Sequence, residues 1–259
     1  MLLVVNVGNT ETALGMFRGE DLIHHWRMST HAERTADEMA LVFAGFLGQQ
    51  GLSFTREITG VALSSVVPPC TQALREMTRR YFHFDPVVVE PGVRTGISIR
   101  TENPREVGAD RIANAVAAHA KFGGPSIVVD IGTATTYDVI TEKAEYVGGA
   151  IAPGLRIAAE ALFQQTAKLP RVELVEPGSV IGRSTVDAMQ AGLVFGKAAE
   201  IEGIVERIQK ELGGDATVIA TGGWAWLIAP LCSQVDHHEP WLTLQGLRLI
   251  FERNTEPNA

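Results

Sequence analysis

Two short segments of the sequence combine the residue types that bind phosphate. Residues 6–10 (NVGNT) follow the apolar run 2–5, and residues 130–136 (DIGTATT) follow the apolar run 127–129. A turn through Gly and Thr lets the backbone approach an anion, and exposed N–H groups and hydroxyls then donate to its oxygens. Two such turns predict two half-molecules that bind one polyphosphate. The first turn begins with Asn6 where the second begins with Asp130.

A third candidate is the segment 106–111 (EVGADR), which leads into the Ala-rich stretch 112–120. Asp110 beside Arg111 has two interpretations. At a helix start, an aspartate is stabilised by the positive end of the helix dipole, which is a structural role. Alternatively, Asp110 accepts a proton from an attacking hydroxyl while Arg111 binds a carboxylate or phosphate.

Two glycine-rich segments are also open to more than one interpretation. Residues 148–154 (GGAIAPG) fit a tight strand-to-helix turn with close packing. Residues 221–223 (TGG) follow an apolar strand, where they either form a simple turn or let a nucleoside lie flat against the backbone. Trp224 and Trp226 come directly afterwards, and they fit adenine packing, burial of an apolar loop or a subunit contact.

The overall composition is ordinary for a globular protein and narrows the choice of partners. The 259 residues are 46% apolar and 20% charged, with a formal net charge of −8, so we expect no nucleic-acid binding. No run approaches about 18 uninterrupted apolar residues, which predicts no membrane span. Cys70 and Cys232 form no Cys-x-x-Cys pair and favour a reducing, cytoplasmic setting.

Hydrophobic periodicity predicts the elements that position these residues. Each half of the chain starts with three strands and continues with helices and further strands. In the first half we predict strands at 2–5, 12–17, 22–28, 58–66 and 86–90, and helices at 33–50 and 74–82. In the second half we predict strands at 127–129, 135–141, 146–150 and 217–220, and helices at 156–167, 185–212 and 242–252, the last with Thr243 as a possible N-cap.

Three strands followed by helix, strand, helix and strand, approximately twice over, is the order of a duplicated ribonuclease-H-like fold. That is the architecture of actin-like ATPases and sugar kinases. We therefore predict an α/β protein with two lobes, residues 1–115 and 116–259, each with a mixed sheet flanked by helices. In this superfamily the nucleotide binds in the cleft between the lobes.

Several longer segments resemble the type III pantothenate kinase family. They are NVGNTETALGMF (6–17), GADR (108–111), DIGTATT (130–136), GGAIAPGL (148–155), GRSTVDAMQAG (182–192) and VIATGG (218–223). The resemblance implies ATP-dependent phosphorylation of pantothenate to 4′-phosphopantothenate, the first step of coenzyme A synthesis. It also implies ATP with Mg²⁺, a monovalent cation (K⁺ or ammonium), and a homodimer whose active site lies near the interface.

The resemblance further implies roles for individual residues. Asp110 matches the general base, and Asp130 matches the ligand of the monovalent cation. The residues matching pantothenate contacts are Gly108, Asp110, Arg111 and Thr185, and those matching ATP contacts are Asn6, Gly8, Asn9, Thr10, Gly132, Thr133, Thr135, Gly222 and Gly223.

The sequence departs from the family pattern at Asn6, where the family has aspartate. Mg²⁺ prefers hard anionic oxygens, so an amide here should weaken metal positioning. Three explanations stay open: an engineered substitution, a low-activity or non-catalytic paralogue, and a tolerated change in which ATP and water hold the metal. We expect an intact binding site with reduced turnover.

Three other functions compete with the kinase. The first is a regulator of the transcriptional-activator type, which shares the kinase fold; the acidic charge weighs against direct DNA binding. The second is a non-catalytic homologue that binds nucleotide or pantothenate, and only Asn6 supports it. The third is a different phosphotransferase, which the GADR and GGAIAPGL segments disfavour.

Overall fold

The structure is a computed structural model of the chain, and it describes residues 1–255. Within these residues, two runs of three strands are each followed by helices and further strands. In chain order they are β1 (Leu2–Val7), β2 (Glu11–Arg18), β3 (Asp21–Ser29), α1 (Ala36–Gln49), α2 (Phe54–Glu57), β4 (Gly60–Ser65), α3 (Pro68–Phe82), β5 (Val87–Val88), β6 (Ser98–Ile99), α4 (Ala109–Phe122), β7 (Ser126–Ile131), β8 (Ala134–Ile140), β9 (Glu145–Pro153), α5 (Leu155–Gln165), α6 (Thr185–Leu212), β10 (Thr217–Thr221), α7 (Ala225–Ile228), β11 (His237–His238) and α8 (Leu242–Thr255).

The strands form two mixed sheets of related topology. The first has the order β3-β2-β1-β4-β5, and the second has the order β11-β10-β7-β8-β9-β6. β1 and β7 occupy equivalent places, because each pairs with an antiparallel hairpin strand on one side and a parallel strand on the other. This confirms the predicted α/β fold with two mixed sheets.

The chain divides into two compact units. The first comprises residues 1–97, 102–117 and the C-terminal segment from Leu242, and the second comprises residues 98–101 and 118–241. The predicted lobes, 1–115 and 116–259, assigned the last helix to the second lobe. The structure differs here, because α8 packs on β1, β2 and β4 of the first sheet and buries Leu244 and Leu247.

Strand alternation places the polar ends of β1 and β7 away from the main cores. Leu3 and Val5 belong to the core that β1 shares with α1 and α3, and Ile127 and Val129 belong to the core that β7 shares with α6. Because successive side chains of a strand point to opposite faces, the side chain at position 6 lies on the other face of its sheet. Asp130 does the same in the second sheet.

The helix that carries Asp110 is held in the first unit by α8. A Cβ on Gly246 would overlap the carbonyl oxygen of Ala113 in α4, so the two helix backbones touch at this point. The Thr243 hydroxyl also lies 2.7 Å from Asn114 Oδ1. α8 itself covers β1 on the same face as Val4, and it therefore links α4 to the sheet that ends in the first turn.

Most predicted elements are present, and the differences have local causes. Helix 185–212 has the predicted bounds. α3 begins at Pro68, earlier than predicted, because proline fits the first turn of a helix as well as it ends a strand. The prediction that Thr243 is an N-cap is wrong, because α8 already begins at Leu242. No helix in the described part of the chain is long and apolar enough to cross a membrane.

Candidate active site

Asn6 is fixed at the start of the first turn by a serine on the neighbouring strand. Asn6 and Ser64 are register partners in the parallel pair β1–β4, and the Ser64 hydroxyl donates to Asn6 Oδ1 at 2.8 Å. Ser64 is fully buried, so its hydroxyl needs this acceptor. The single oxygen of the Asn6 amide is therefore engaged, and the Nδ2 group is the other polar end of the side chain.

The rest of the first turn is braced by Thr30. The Gly8 N–H donates to the carbonyl of Glu11 at 3.0 Å, and the Thr30 hydroxyl donates to the carbonyl of Gly8 at 2.8 Å. The Thr30 N–H donates to the carbonyl of Thr10 at 3.0 Å. These bonds fix the backbone of the turn and leave Asn9 exposed at its tip.

Asp110 lies at the N-terminal end of α4, in the same unit as residues 6–10. The Arg111 N–H donates to Asp110 Oδ1 at 2.9 Å, so the carboxylate satisfies one of the free N–H groups at the helix start. A Cβ on residue 108 would lie 2.6 Å from the same oxygen, which explains why glycine stands there. Asp110 therefore has the structural role that its position at a helix start predicts.

The pKa of Asp110 differs from what a helix-capping role alone would give. Burial raises the pKa of Asp110, while the N–H groups and the charge of Arg111 act in the opposite direction. Contacts with a helix start stabilise the charged carboxylate and lower its pKa, so desolvation is the stronger effect here. A raised pKa makes the carboxylate a better proton acceptor, which is the property that a general base needs.

The second turn is built around Asp130 at the end of β7. The Gly132 N–H donates to the carbonyl of Ala134 at 2.9 Å, which closes the turn. A Cβ on Gly132 would lie 3.3 Å from Asp130 Oδ1, and a Cβ on Gly222 would overlap that oxygen. The structure therefore brings three predicted site residues together: Asp130, Gly132 and Gly222.

The segment around Gly222 packs directly on the backbone of β7. Gly222 has φ +95°, and a Cβ there would lie 2.7 Å from Ile131 N. The Trp224 N–H donates to the carbonyl of Ile131 at 3.0 Å, which holds this segment against the strand. Gly223 is exposed, and Trp226 is 58% exposed. Glycine is thus required at position 222 both by the backbone angle and by space.

The three threonines that we predicted to contact ligands differ in their exposure. Thr133 is exposed at the tip of the second turn. Thr135 is fully buried, and in the described part of the chain its hydroxyl has no hydrogen-bond partner. Thr185 is exposed at the first position of α6, next to the capping box that Ser184 and Asp187 form. The contacts predicted for these three threonines stay predictions.

Sequence reasoning missed the residues that support the two turns. Ser64 on β4 and Thr30, just after β3, brace the first turn, and Gly154 packs against the carbonyl oxygens of Gly132 and Thr133. The glycine-rich character of residues 148–154 was a signal for the last of these. For Ser64 the signal was absent, because the register of a parallel strand pair depends on the tertiary fold.

Any cation at these turns would depend on few side chains. Within residues 1–255, no three His, Cys, Asp or Glu side chains are close enough to hold a metal ion. Asp130 offers a carboxylate at the turn, which fits a hard cation that also takes phosphate and water oxygens. Asn6 fits a metal less well, because its amide oxygen is neutral and is shared with the Ser64 hydroxyl, whereas Mg²⁺ favours anionic oxygens.

Comparison with known proteins identifies the family. The model of the type III pantothenate kinase family matches residues 2–207. A relative from Moorella thermoacetica is 54% identical over 255 residues, covering 98% of this chain and 100% of the relative. One from Streptomyces griseus is 53% identical, covering 98% of each chain, and both are named type III pantothenate kinase. The chain belongs to the type III pantothenate kinase family.

Solved structures support the fold of this pantothenate kinase family member at much lower identity. A Baf family protein from Campylobacter jejuni has a TM-score of 0.60 at 18% identity, covering 97% of this chain and 98% of that one. The (R)-2-hydroxyglutaryl-CoA dehydratase component A from Acidaminococcus fermentans has a TM-score of 0.56 at 13% identity, covering 97% and 96%. At such identities the likeness shows the fold alone.

The packing at Gly222 generates a prediction with a matched control. We expect Gly222→Ala to weaken ATP binding by about tenfold or more, because an added Cβ displaces Asp130 and Ile131. Gly213→Ala is the control, since Gly213 also has a positive φ, +76°, but open space around it. Both variants should lose about 1–2 kcal/mol of stability from the backbone angle. Isothermal titration calorimetry measures the affinity, and equal ATP affinity in the two variants would contradict the prediction.

The desolvation of Asp110 generates a second prediction. Its pKa is raised in the folded protein, so the charged carboxylate costs stability at neutral pH, and this cost disappears below the unfolded-state pKa of about 3.9. We expect Asp110→Asn to be at least as stable as the parent at pH 7, with the advantage shrinking as the pH falls towards 4. Urea unfolding midpoints at both pH values measure this.

The matched control for Asp110 is Asp37→Asn, in the first turn of α1. Asp37 is exposed and pairs with Arg80 at 2.9 Å, so its replacement should lower stability at pH 7 or leave it unchanged. A clear loss of stability in Asp110→Asn at pH 7 would show that the carboxylate is retained for helix capping instead.

Proposed function

We propose that the protein transfers the γ-phosphoryl group of ATP to the terminal hydroxyl of pantothenate and so makes 4′-phosphopantothenate, the first step of coenzyme A synthesis. The observation that carries this proposal is the family membership, with 54% identity to a named type III pantothenate kinase over 98% of the chain. The regulatory and non-catalytic alternatives are not favoured, because the similar full-length relatives are named as kinases.

In this proposal Asp110 is the general base. The raised pKa of its carboxyl makes it a good acceptor for the proton of the pantothenate hydroxyl. Arg111 follows it directly and supplies a planar cation that suits the carboxylate of pantothenate. Gly108 and Thr185 complete the pantothenate contacts that the family resemblance implies.

The two turns bind the ATP phosphates. Phosphoryl transfer needs in-line positioning and neutralised equatorial oxygens more than covalent help from the protein. The first turn, with Gly8, Asn9 and Thr10, is supported in this role by the bracing bonds of Thr30. The backbone of the second turn, at Gly132 and Thr133, acts in the same way, with Gly222 and Gly223 beside the nucleoside; a phosphate contact of Thr135 remains a prediction of the resemblance.

Bound cations supply positive charge that offsets the phosphate oxygens in the transition state. Asp130 would hold a monovalent cation, K⁺ or ammonium, because it offers a carboxylate at the end of β7 beside the second turn. The metal that accompanies ATP is Mg²⁺ in this proposal, held mostly by phosphate and water oxygens. Asn6 presents its Nδ2 group instead of a second carboxylate oxygen, which supports an intact nucleotide site with lower turnover.

A kinetic comparison tests the proposal. With ATP, Mg²⁺, K⁺ and labelled pantothenate, we expect phosphopantothenate from the parent protein and a loss of about 10²- to 10⁴-fold in kcat for Asp110→Asn. Asn6→Asp should raise kcat with little change in ATP affinity, because it restores an anionic oxygen while Ser64 keeps its acceptor. Asp215→Asn, at an exposed position, is the control that should change neither value.

Two results would contradict parts of this proposal. If neither the parent nor Asn6→Asp forms product, the non-catalytic alternative holds. If the parent has normal kinetics and Asn6→Asp brings no gain, Asn6 does not limit turnover.

We also propose that the second unit pairs with a second copy of the chain, as the resemblance implies. Exposed apolar side chains of the second unit support this: Ile151 on β9 is 67% exposed, and Ile157 on α5 is 47% exposed. Val186, beside Thr185, is 40% exposed, which fits a substrate site near the interface. Large exposed apolar side chains are common at interaction surfaces. A cytoplasmic location also stays a prediction.

Analytical ultracentrifugation at micromolar concentration tests the dimer. We expect the parent to sediment as a dimer and Ile151→Lys to shift towards the monomer, because a desolvated lysine opposes burial of the strand face. Leu41→Lys replaces a residue that is 75% exposed on α1 and should leave the dimer intact. A monomeric parent at these concentrations would overturn the proposal.

A further inference from the structure

A lysine is buried in the middle of α6, in the second unit. The Lys197 side chain is only 4% exposed. Its ammonium group donates to Glu200 Oε1 and Oε2 at 2.7 and 2.8 Å and to the carbonyl oxygen of Pro153 at 2.7 Å. All three donors of the ammonium are therefore satisfied.

A tyrosine on β8 also donates to the carboxylate of Glu200. The Tyr137 hydroxyl donates to Glu200 Oε1 at 3.0 Å. Burial and the neighbouring Glu200 raise the pKa of Tyr137, so it stays a neutral donor. Glu200 itself is 32% exposed, which lowers the cost of holding a carboxylate there.

Stability alone is a weak reason for this arrangement. An apolar side chain of similar volume is often neutral or stabilising when it replaces a buried ion pair. What an apolar side chain cannot provide is the bond to the Pro153 carbonyl. That bond is the specific contribution of Lys197.

Pro153 directly precedes Gly154, whose backbone packs tightly against the second turn. It is the last residue of β9 and the ladder partner of Ala134. The next residue, Gly154, is packed so tightly that a Cβ would overlap the carbonyl oxygen of Thr133 and lie within 2.6 Å of its carbonyl carbon. A peptide unit is planar, so fixing the Pro153 carbonyl also fixes the Gly154 nitrogen.

We propose that Lys197 is a positioning residue for ATP: it holds the peptide unit between Pro153 and Gly154, and this unit supports the backbone of Gly132 and Thr133. The inference rests on the proposed function, since the second turn is taken to bind the ATP phosphates. Lys197 acts on the turn indirectly, through Pro153 and Gly154.

The test uses Lys197→Met, which keeps an unbranched side chain of similar length and removes all three donors. We expect about tenfold weaker ATP binding by isothermal titration calorimetry, the size that loss of one hydrogen bond to a charged group gives. The KM for ATP should rise similarly, while the KM for pantothenate stays within about twofold. Of the proposed pantothenate contacts, Gly108, Asp110 and Arg111 lie on a different unit, and Thr185 lies at the start of α6, about 18 Å along the helix from Lys197. Lys143→Met, at an exposed turn, is the control and should bind ATP like the parent.

A double variant separates positioning from a merely structural role. Lys197→Met with Glu200→Gln removes the carboxylate that Lys197→Met leaves without its cation, so the thermal midpoint should return to the parent value or rise above it. ATP binding should remain weak in the double variant, because the Pro153 carbonyl still lacks its donor.

The outcomes distinguish this inference from the proposed function. If the double variant regains both stability and ATP affinity, Lys197 has only a structural role and the inference is overturned. An equal rise of both KM values in a stable variant would also overturn it. If the parent binds no ATP, the nucleotide site itself is wrong, and the role of Lys197 is overturned with it.

Discussion

The end of β7 depends on backbone packing against backbone. Gly154 lies against the carbonyl oxygens of Gly132 and Thr133, and Gly222 lies against Asp130 and Ile131. Backbone packed in this way has few torsions left to order when a ligand binds. In the proposed function, this preorganisation would reduce the entropic cost of binding a polyphosphate.

The overall charge of the chain does not favour an anionic ligand. With a net charge of −8, long-range electrostatic attraction does not concentrate ATP, so the proposed site relies on local N–H groups and cations. A local donor also acts on Asp110. Desolvation of its carboxylate costs stability, and the hydrogen bond from the Arg111 N–H at the helix start offsets part of this cost.

Local patterns were sufficient to predict most of the strands and helices and the turns at the ends of β1 and β7, but not the two-residue strands β6 and β11 or the start of α3. Helix 185–212 was predictable because its capping residues and its spacing of apolar residues are local features. The position of α8 was not predictable, because no local pattern in residues 242–255 indicates which sheet the helix covers. That depends on Gly246, whose contact partner Ala113 lies far away in sequence. The support from Ser64 and Lys197 escaped prediction for the same reason.

The substitution at position 6 shows why fold and activity must be argued separately. Packing requires one acceptor for the buried Ser64 hydroxyl, and the amide of Asn6 provides it as well as a carboxylate would. The first sheet therefore keeps its register and its turn whichever residue is present. A carboxylate has a second oxygen for a metal, and the amide has a donor in that place, so the difference lies entirely on the ligand side. Fold similarity and family membership do not reveal the effect of Asn6, because every contact that the packing needs is kept.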